Sequence, residues 1–374
     1  MPYRFPNGLP AVLPATVAQI ERRLPATGEI LVRMGSRVEP DDLIGRCTVQ
    51  GDPVLLDVAG ALGVEVRDVR RRVRRQVGQR IAFRDVVARR GGRSVLAPFP
   101  GTVTAVDEAT GFVVLTPDPL PASVTAAVRG YVVDFEPHRS ATIETPAAVV
   151  QGAFGFGGEQ WGVVRLLVTD PGSVITPDMI DARSAFMIVI GGAGITAEAL
   201  RKARKEQVKG IVVGSLDEGE LRRYWGDGFD GRWTRLLRSG DGLKEQDDGP
   251  TLLVTEGWGS QPMSSPLFDL LTRFDRQEAH VDGTTRLGVP ETRPRLILPI
   301  ARLPGGTAAS PSSEFRAGAI VRVLDEAHRG RIGRVESIHE HVRLPSGIRT
   351  RAATVRIGEA ERIVLPDMAI EIIG

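Results

Sequence analysis

The sequence predicts a multidomain protein that combines α/β and all-β parts. Three observations support this prediction. Short apolar strands separated by turn residues fill the stretch from Val95 to Pro117. Two strongly apolar segments, Phe186 to Ile190 and Gly210 to Val213, flank a helix that begins at Thr196, which is the pattern of a parallel βαβ unit. The last segment, Glu314 to Gly374, again alternates valines with glycine turns.

Composition sets wide limits on function. The chain has 374 residues, of which 42% are hydrophobic and 25% charged, so we expect a globular protein of two or three domains. Forty-eight basic residues stand against forty-six acidic ones, which leaves a net charge of only +2. The chain as a whole therefore has no strong electrostatic attraction for nucleic acid or membranes, and any basic binding surface must be local.

The single cysteine, Cys47, excludes an intrachain disulfide and a thiolate-rich metal site, which fits a reducing compartment. No window approaches the roughly 20 apolar residues that a membrane-spanning helix needs. We therefore expect a cytoplasmic protein without membrane insertion.

The N-terminal part, residues 1–147, begins with a helix predicted over Ala15 to Arg23. Gly28 to Arg46 and Val95 to Pro117 then repeat one pattern of short strands and Gly, Pro and Asp turns. Together they resemble the two halves of a barrel-sandwich hybrid, the fold of lipoyl and biotinyl carriers. That family places a modifiable lysine in a hairpin, whereas the comparable turn here, Met34-Gly35-Ser36, has none. The resemblance therefore implies an architectural module and not a carrier.

A helical insertion is predicted between these halves, over residues 55–76, because the apolar residues there recur at spacings near 3.6. It carries a dense run of basic side chains: Arg67, Arg70, Arg71, Arg72, Arg74 and Arg75. Arginine forks match phosphate oxygens, so Arg67, Arg70, Arg71, Arg74 and Arg75 are candidate contacts to RNA or DNA. The alternative is that the run is the solvated face of a helix that packs on the barrel through its valines.

Residues 148–300 predict an α/β domain. The segments 176–192 and 199–214 resemble the swivelling type of β/α domain, which implies a three-layer-like arrangement. A G-x-G-x-x-A pattern joins a strand to a helix there and is followed by an acid about 20 residues on, as in a dinucleotide site. Its residues are Gly192, Gly194, Ala197 and Asp217. Either NAD or another nucleotide binds there, or the glycines only turn the chain.

Carboxylates offer a second chemical possibility, because acids at the strand ends of an α/β sheet can work as acid and base. The candidates are Asp178, Asp181, Asp217, Glu218 and Glu256. Capping of helix starts and turns explains such acids equally well. For metal binding, the sequence shows no convincing ligand set, since only His339 and His341 among the five histidines are close together.

The composition of residues 301–313 indicates a linker. The last module, residues 314–374, resembles a KOW-type SH3-like barrel, with Gly318, Val321, Val323, Gly330, Gly333 and Val335 at the spacing of that family. It departs from the family pattern at Asp325-Glu326, where a glycine turn is usual. The resemblance implies binding of RNA, of ribosomal or polymerase partners, or of other proteins.

These features favour a non-catalytic structural or adaptor component of a larger assembly, which binds protein partners or self-assembles through its β modules and needs no cofactor. No catalytic residue is assigned. Two alternatives stay open at this point, namely an enzyme that binds NAD or another nucleotide in the α/β domain, and a protein that binds nucleic acid through the arginine run and the C-terminal barrel.

Overall fold

A computed structural model describes residues 12–226, 229, 249–285, 293–303, 316–325, 327–328, 331–344, 347, 349–358 and 361–372. About half of the chain is strand and about 15% is helix. The predicted mixture of α/β and β-rich parts with several sheets is therefore confirmed at this level. Most of the predicted linker, residues 304–313, lies outside the described residues, as does Gly330 of the predicted KOW-like spacing.

The N-terminal part is built mainly of strands. They are β1 (Val12–Arg23), β2 (Gly28–Ile30), β3 (Arg37–Val38), β4 (Leu43–Val49), β5 (Val54–Asp57), β6 (Arg80–Ile81), β7 (Val86–Arg90), β8 (Arg93–Leu96), β9 (Gly101–Val106), β10 (Phe112–Pro117), β11 (Leu120–Thr125), β12 (Gly130–Glu136) and β13 (Ser140–Gln151). Two short helices interrupt them, α1 (Val58–Leu62) and α2 (Val69–Arg72).

The helix predicted over Ala15 to Arg23 is wrong, because this segment is strand β1 and pairs antiparallel with β13 along almost its whole length. Its inward side chains alternate as a half-buried strand requires, but two of them, Thr16 and Arg22, are polar. Because these two inward residues are polar, the sequence lacks the regular alternation of apolar and polar residues that indicates a strand.

The pairing of β4 with β11 defines an inserted module. Val49 lies opposite Leu120, so the chain leaves the N-terminal sheet and returns to it at neighbouring positions. Between them, residues 54–117 form the sheet β5-β10-β9-β6, the hairpin β7-β8 and both short helices. These elements share their own hydrophobic cluster, which includes Val58, Leu62, Val103 and Leu115. The insertion is thus larger than the predicted helical stretch 55–76 and contains more strand than helix.

The two stretches that were compared with the halves of a barrel-sandwich hybrid lie in different sheets. Of the strands from Gly28 to Arg46, β2 and β4 belong to the sheet β11-β4-β2 and β3 pairs with β12 in another sheet, whereas the strands from Val95 to Pro117 belong to the inserted module. The first set packs into a cluster that also contains Ile20, Ile143 and Ile297.

The central part is α/β. Its strands are β14 (Phe154–Phe156), β15 (Glu159–Leu166), β16 (Val174–Ile175), β17 (Met187–Ile190), β18 (Gly194–Ile195), β19 (Gly210–Leu216), β20 (Thr251–Trp258), β21 (Glu278–Asp282) and β22 (Arg295–Pro299). Its helices are α3 (Ala197–Lys205), α4 (Glu218–Trp225) and α5 (Ser265–Arg273), with single 3₁₀ turns at Pro177–Met179 and Ala182–Ser184. Most of residues 224–249, a segment rich in glycine and aspartate, lies outside the described residues.

One sheet of eleven strands connects the N-terminal and central parts. Its order is β14-β20-β19-β17-β15-β21-β22-β13-β12-β3, and β1 also pairs with β13. The neighbours β15, β17, β19 and β20 run parallel, as predicted for the βαβ unit. Strand β13 crosses the domain boundary expected between residues 147 and 148 and contacts β12 near its start and β22 near its end.

The C-terminal part is a five-stranded antiparallel sheet. Its strands are β23 (Ile320–Val323), β24 (Ile332–Arg343), β25 (Arg349–Ile357), β26 (Glu361–Pro366) and β27 (Ile370–Ile372), in the order β26-β25-β24-β23-β27. Val321, Val323 and Val335, three residues of the predicted spacing, are buried in its core. Gly318 has a φ of 92°, a value that side chains rarely adopt, at the turn before β23.

Candidate functional site

The predicted dinucleotide turn is packed against the protein's own backbone. The N–H of Ala193 donates to the carbonyl oxygen of Ser173 at 2.8 Å, and β16 pairs with β18 directly beyond the turn. A Cβ atom on Gly192 would lie 2.6 Å from the carbonyl oxygens of Asp170 and Ser173, and Gly191 to Ile195 are all buried. Close backbone packing accounts for the glycine at this position.

A carboxylate of the chain itself occupies the N-terminus of α3. The side chain of Thr196 accepts from the N–H of Ala199 at 3.2 Å, which confirms the predicted N-cap. The N–H of Ala197 donates to Oε2 of Glu220 at 2.8 Å. An anion at a helix N-terminus is stabilised by free N–H groups and the dipole, and here Glu220 supplies that anion.

Asp217 has a local role as the N-cap of α4, where its side chain accepts from the N–H of Glu220 at 3.1 Å. The structure therefore brings Gly192, Gly194 and Ala197 close together at the start of α3. Glu220 on α4 connects this turn to Asp217, because it contacts both Ala197 and Asp217. Every one of these contacts favours the interpretation in which the glycines turn and pack the chain.

The other candidate carboxylates have separate partners. Asp181 binds Arg165 at 2.6 Å and also Arg183, and the hydrogen bond from Arg165 lowers the pKa of Asp181 to about 2. Glu218 pairs with Arg222 on the exposed surface of α4. For Asp178, a hydrogen bond from Thr176 lowers the pKa.

Glu256 is the most buried of these candidates, and it belongs to an ion-pair cluster. Its Oε2 lies 2.6 Å from Arg322 on β23, and its Oε1 accepts from the N–H of Ser264 at 3.0 Å. Arg322 also contacts Glu371 at 3.1 Å, and Glu371 binds Arg293 at 2.7 Å. Burial raises the pKa of Glu256, while the charge of Arg322 opposes that shift.

Most arginines of the predicted nucleic-acid face are neutralised by neighbouring acids. Arg67 pairs with Glu65 at 2.6 Å, Arg75 with Asp85 at 3.1 Å, and Arg71 approaches Asp68 at 4.0 Å. Arg70 pairs with Glu108. Of the five predicted contacts, only Arg74 has no ion pair within the described part of the chain.

Sequence reasoning missed a second group of arginines in the same module. Arg89, Arg90 and Arg93 surround the tip of the hairpin β7-β8, and Arg84 precedes β7 with a φ of 65°. All four are exposed. The signal was the segment Arg89-Arg90-Gly91-Gly92-Arg93, in which two glycines separate basic residues as at a hairpin tip.

A surface groove of about 690 Å³ lies over the sheet β11-β4-β2. It is lined by Gly28, Glu29, Arg46, Cys47 and Ala122, among others. The charges at its wall already compensate each other, because Arg46 pairs with Glu29 at 2.8 Å.

No protein-family model matches the chain, and no curated protein is significantly similar to it. Within the residues that the structure describes, no three His, Cys, Asp or Glu side chains are grouped so that they could hold a metal ion. Among the helices of these residues, none combines the length and the apolar character that crossing a membrane requires.

Proposed function

We propose that the chain is a non-catalytic structural or adaptor component of a larger assembly and that it binds a protein partner through its N-terminal β module. The observation that carries the proposal is the exposed apolar turn at Met34. The turn Met34-Gly35-Ser36 contains no lysine, so it offers an apolar surface and no site for a carried group.

Three large apolar side chains are exposed around this turn. Met34 is 62% exposed, Tyr131 54% and Leu31 41%. The N–H of Gly35 donates to the carbonyl oxygen of Val132 at 2.7 Å, which places Met34 beside β12 and its Tyr131. Aromatic residues and methionine are enriched in protein interfaces because they provide large contact areas.

The attachment of the C-terminal five-stranded sheet supports an adaptor role. The cluster of Arg322, Glu256 and Glu371 connects this sheet to strand β20 of the central sheet through buried ionic contacts. A specific buried cluster defines the position of one part relative to another more closely than a flexible connection does. Surfaces on the two parts are then presented to a partner at a set separation.

Native mass spectrometry tests the proposal on the full chain, purified gently from its own cells at moderate salt. We expect a stoichiometric species larger than the monomer, formed with a protein partner or a second copy. The double variant Met34→Asp/Tyr131→Asp should lose that species. A matched control, Phe186→Asp/Val174→Asp, replaces two other exposed apolar side chains with the same charges and should keep it.

Thermal melting of each variant establishes that it is folded. A wild-type protein that stays strictly monomeric would contradict the proposal. A monomer with an additional mass of nucleotide size would instead favour the enzyme alternative that includes Gly192 and Asp217.

A further inference from the structure

The inserted module has a charge balance different from that of the rest of the protein. Residues 54–117 contain eleven arginines, no lysine or histidine, and six acidic residues, which gives a net charge of +5. The whole chain has a net charge of +2, so the remainder is negative, at −3. A positive field is thus concentrated on one discrete module, where it can attract an anionic partner.

Ion pairs divide these arginines into two groups. Five of them pair with carboxylates, namely Arg67, Arg70, Arg71, Arg75 and Arg80. The other six have no ion pair to any described residue, and all six are exposed. We call these six the arginine ridge: Arg72, Arg74, Arg84, Arg89, Arg90 and Arg93.

The backbone places the ridge residues on and around the hairpin β7-β8. Val73 bridges to Ala88, and the N–H of Arg74 donates to the carbonyl oxygen of Val87 at 2.8 Å. Arg72 and Arg74, which flank Val73, therefore run beside β7 and its Arg89. Strand β7 itself, from Val86 to Arg90, extends over roughly 14 Å at the usual rise of an extended strand.

The tip of the hairpin is held in place. The guanidinium group of Arg90 donates to the carbonyl oxygens of Leu62 and Gly63 at the end of α1. Arg93 lies opposite Arg90 in the strand pairing, and two glycines form the turn between them. With no side chain at the turn, another backbone can approach the tip closely.

We propose that the arginine ridge binds the phosphate backbone of a nucleic acid strand. Guanidinium groups bind phosphate oxygens through paired hydrogen bonds, and several of them grouped around one hairpin without carboxylate partners can contact successive phosphates of a polymer. Phe83 is 62% exposed beside Arg84 and offers a flat surface on which a base stacks. Contacts of this kind read the backbone and carry little sequence information.

The proposal moves the contact surface away from the ion-paired helical arginines. In Arg67, Arg70 and Arg71 the charge is already compensated, so a phosphate would have to displace a carboxylate. Ridge arginines need no such exchange. This difference separates the two groups experimentally within one module and at equal net charge.

Fluorescence anisotropy with a labelled 20-nucleotide single strand of mixed sequence, DNA or RNA, tests the proposal on the full chain. If about four phosphates are neutralised, the logarithm of the binding constant falls with the logarithm of salt with a slope of about −3. Affinity then drops on the order of 50-fold between 50 and 200 mM salt. A second sequence of equal length should bind with nearly the same affinity.

Two triple variants that lose the same charge compare the ridge arginines with the ion-paired arginines. Arg72→Gln/Arg74→Gln/Arg93→Gln should lower affinity at least about tenfold and reduce the salt slope by about 2, since each lost phosphate contact to a single strand removes about 0.7 of a unit. Arg67→Gln/Arg70→Gln/Arg71→Gln should change affinity less than about threefold. Thermal melting verifies folding, and Arg74→Gln/Arg84→Gln replaces the first variant if it does not fold.

Equal losses in the two triple variants would overturn the assignment to the ridge. Absence of binding at 50 mM salt would overturn the proposal altogether. Binding only to vesicles that contain phosphatidylglycerol, with none to either nucleic acid, would do the same and would identify an anionic membrane surface as the ligand.

Discussion

The guanidinium group of Arg322 lies 2.6 Å from the carboxylate of Glu256, and the two side chains are 3% and 4% exposed. The residues are far apart in the sequence and belong to β23 and β20. A carbonyl oxygen, that of Thr255, accepts a further hydrogen bond from Arg322 at 3.2 Å. Buried charges are tolerated only with such compensation, so each partner depends on the others.

Replacing Arg322 with methionine should therefore destabilise the protein strongly. The change keeps much of the side-chain volume but leaves the Glu256 carboxylate buried without its cation. Removing one member of a buried ion pair costs about 3–5 kcal/mol. Urea unfolding at pH 7 measures this loss as a change in the free energy of unfolding.

The exposed pair of Arg331 and Glu361 provides the control, because Arg331→Met should lower the free energy of unfolding by less than about 1 kcal/mol.

The loss of stability in Arg322→Met, called the deficit below, should also depend on pH. Burial already raises the pKa of Glu256 above 4.5, and without the opposing charge of Arg322 that pKa rises further. The folded variant then binds a proton more readily than the unfolded chain, so its deficit should shrink as pH falls towards 4.5. A deficit independent of pH would contradict this account.

Gly192 and Gly194 should respond differently to alanine. A Cβ on Gly192 would meet three backbone oxygens at 2.6–2.8 Å, whereas one on Gly194 would lie 3.2 Å from a single oxygen, that of Ser215. Gly192→Ala should lose about 1–3 kcal/mol through overpacking, and Gly194→Ala should lose less. Chemical denaturation compares the two. Equal stability of both variants would contradict the packing interpretation of this turn.

His280 should make stability fall in acid. Its ring is fully buried, neither ring nitrogen has a hydrogen-bond partner among the described residues, and burial lowers its pKa to about 3. The unfolded chain therefore takes up this proton first, at its ordinary pKa of 6.5. The contribution of neutral His280 is complete above pH 6.5 and is lost as pH falls from 6.5 towards 3.

The variant His280→Leu removes both unsatisfied nitrogens and should stabilise the protein at pH 7 by about 1 kcal/mol. It should also flatten the pH dependence of unfolding between pH 6.5 and 4. His341→Leu, which replaces an exposed imidazole, serves as the control and should preserve the wild-type profile. A steeper acid loss in His280→Leu than in the wild type would refute the assignment.

The sequence signals that proved reliable were local. Thr196 caps α3 as predicted, and the apolar segments before and after that helix form the parallel strands β17 and β19. In each case, the residues that specify the element are its own and lie within a few positions of one another.

Long-range partners account for what could not be predicted. Arg22 is buried in β1 because its guanidinium group binds the carboxylate of Glu159, 137 positions away. An inward-facing arginine interrupts the apolar pattern of the strand, so the sequence did not indicate β1. The bounds of the inserted module became clear only from the pairing of Val49 with Leu120, two residues far apart in the sequence. In the arginine run, spacing revealed the charge but not the compensating acids, of which Asp85 and Glu108 come from distant turns.

The pairing of β4 with β11 has an evolutionary consequence. Because the chain enters and leaves residues 54–117 at adjacent backbone positions, a short hairpin turn closes the remaining strands as well as the whole module does. The module can therefore be inserted or removed as one unit. A lineage can gain it, lose it or exchange it in one genetic event while the eleven-stranded sheet keeps every one of its pairings.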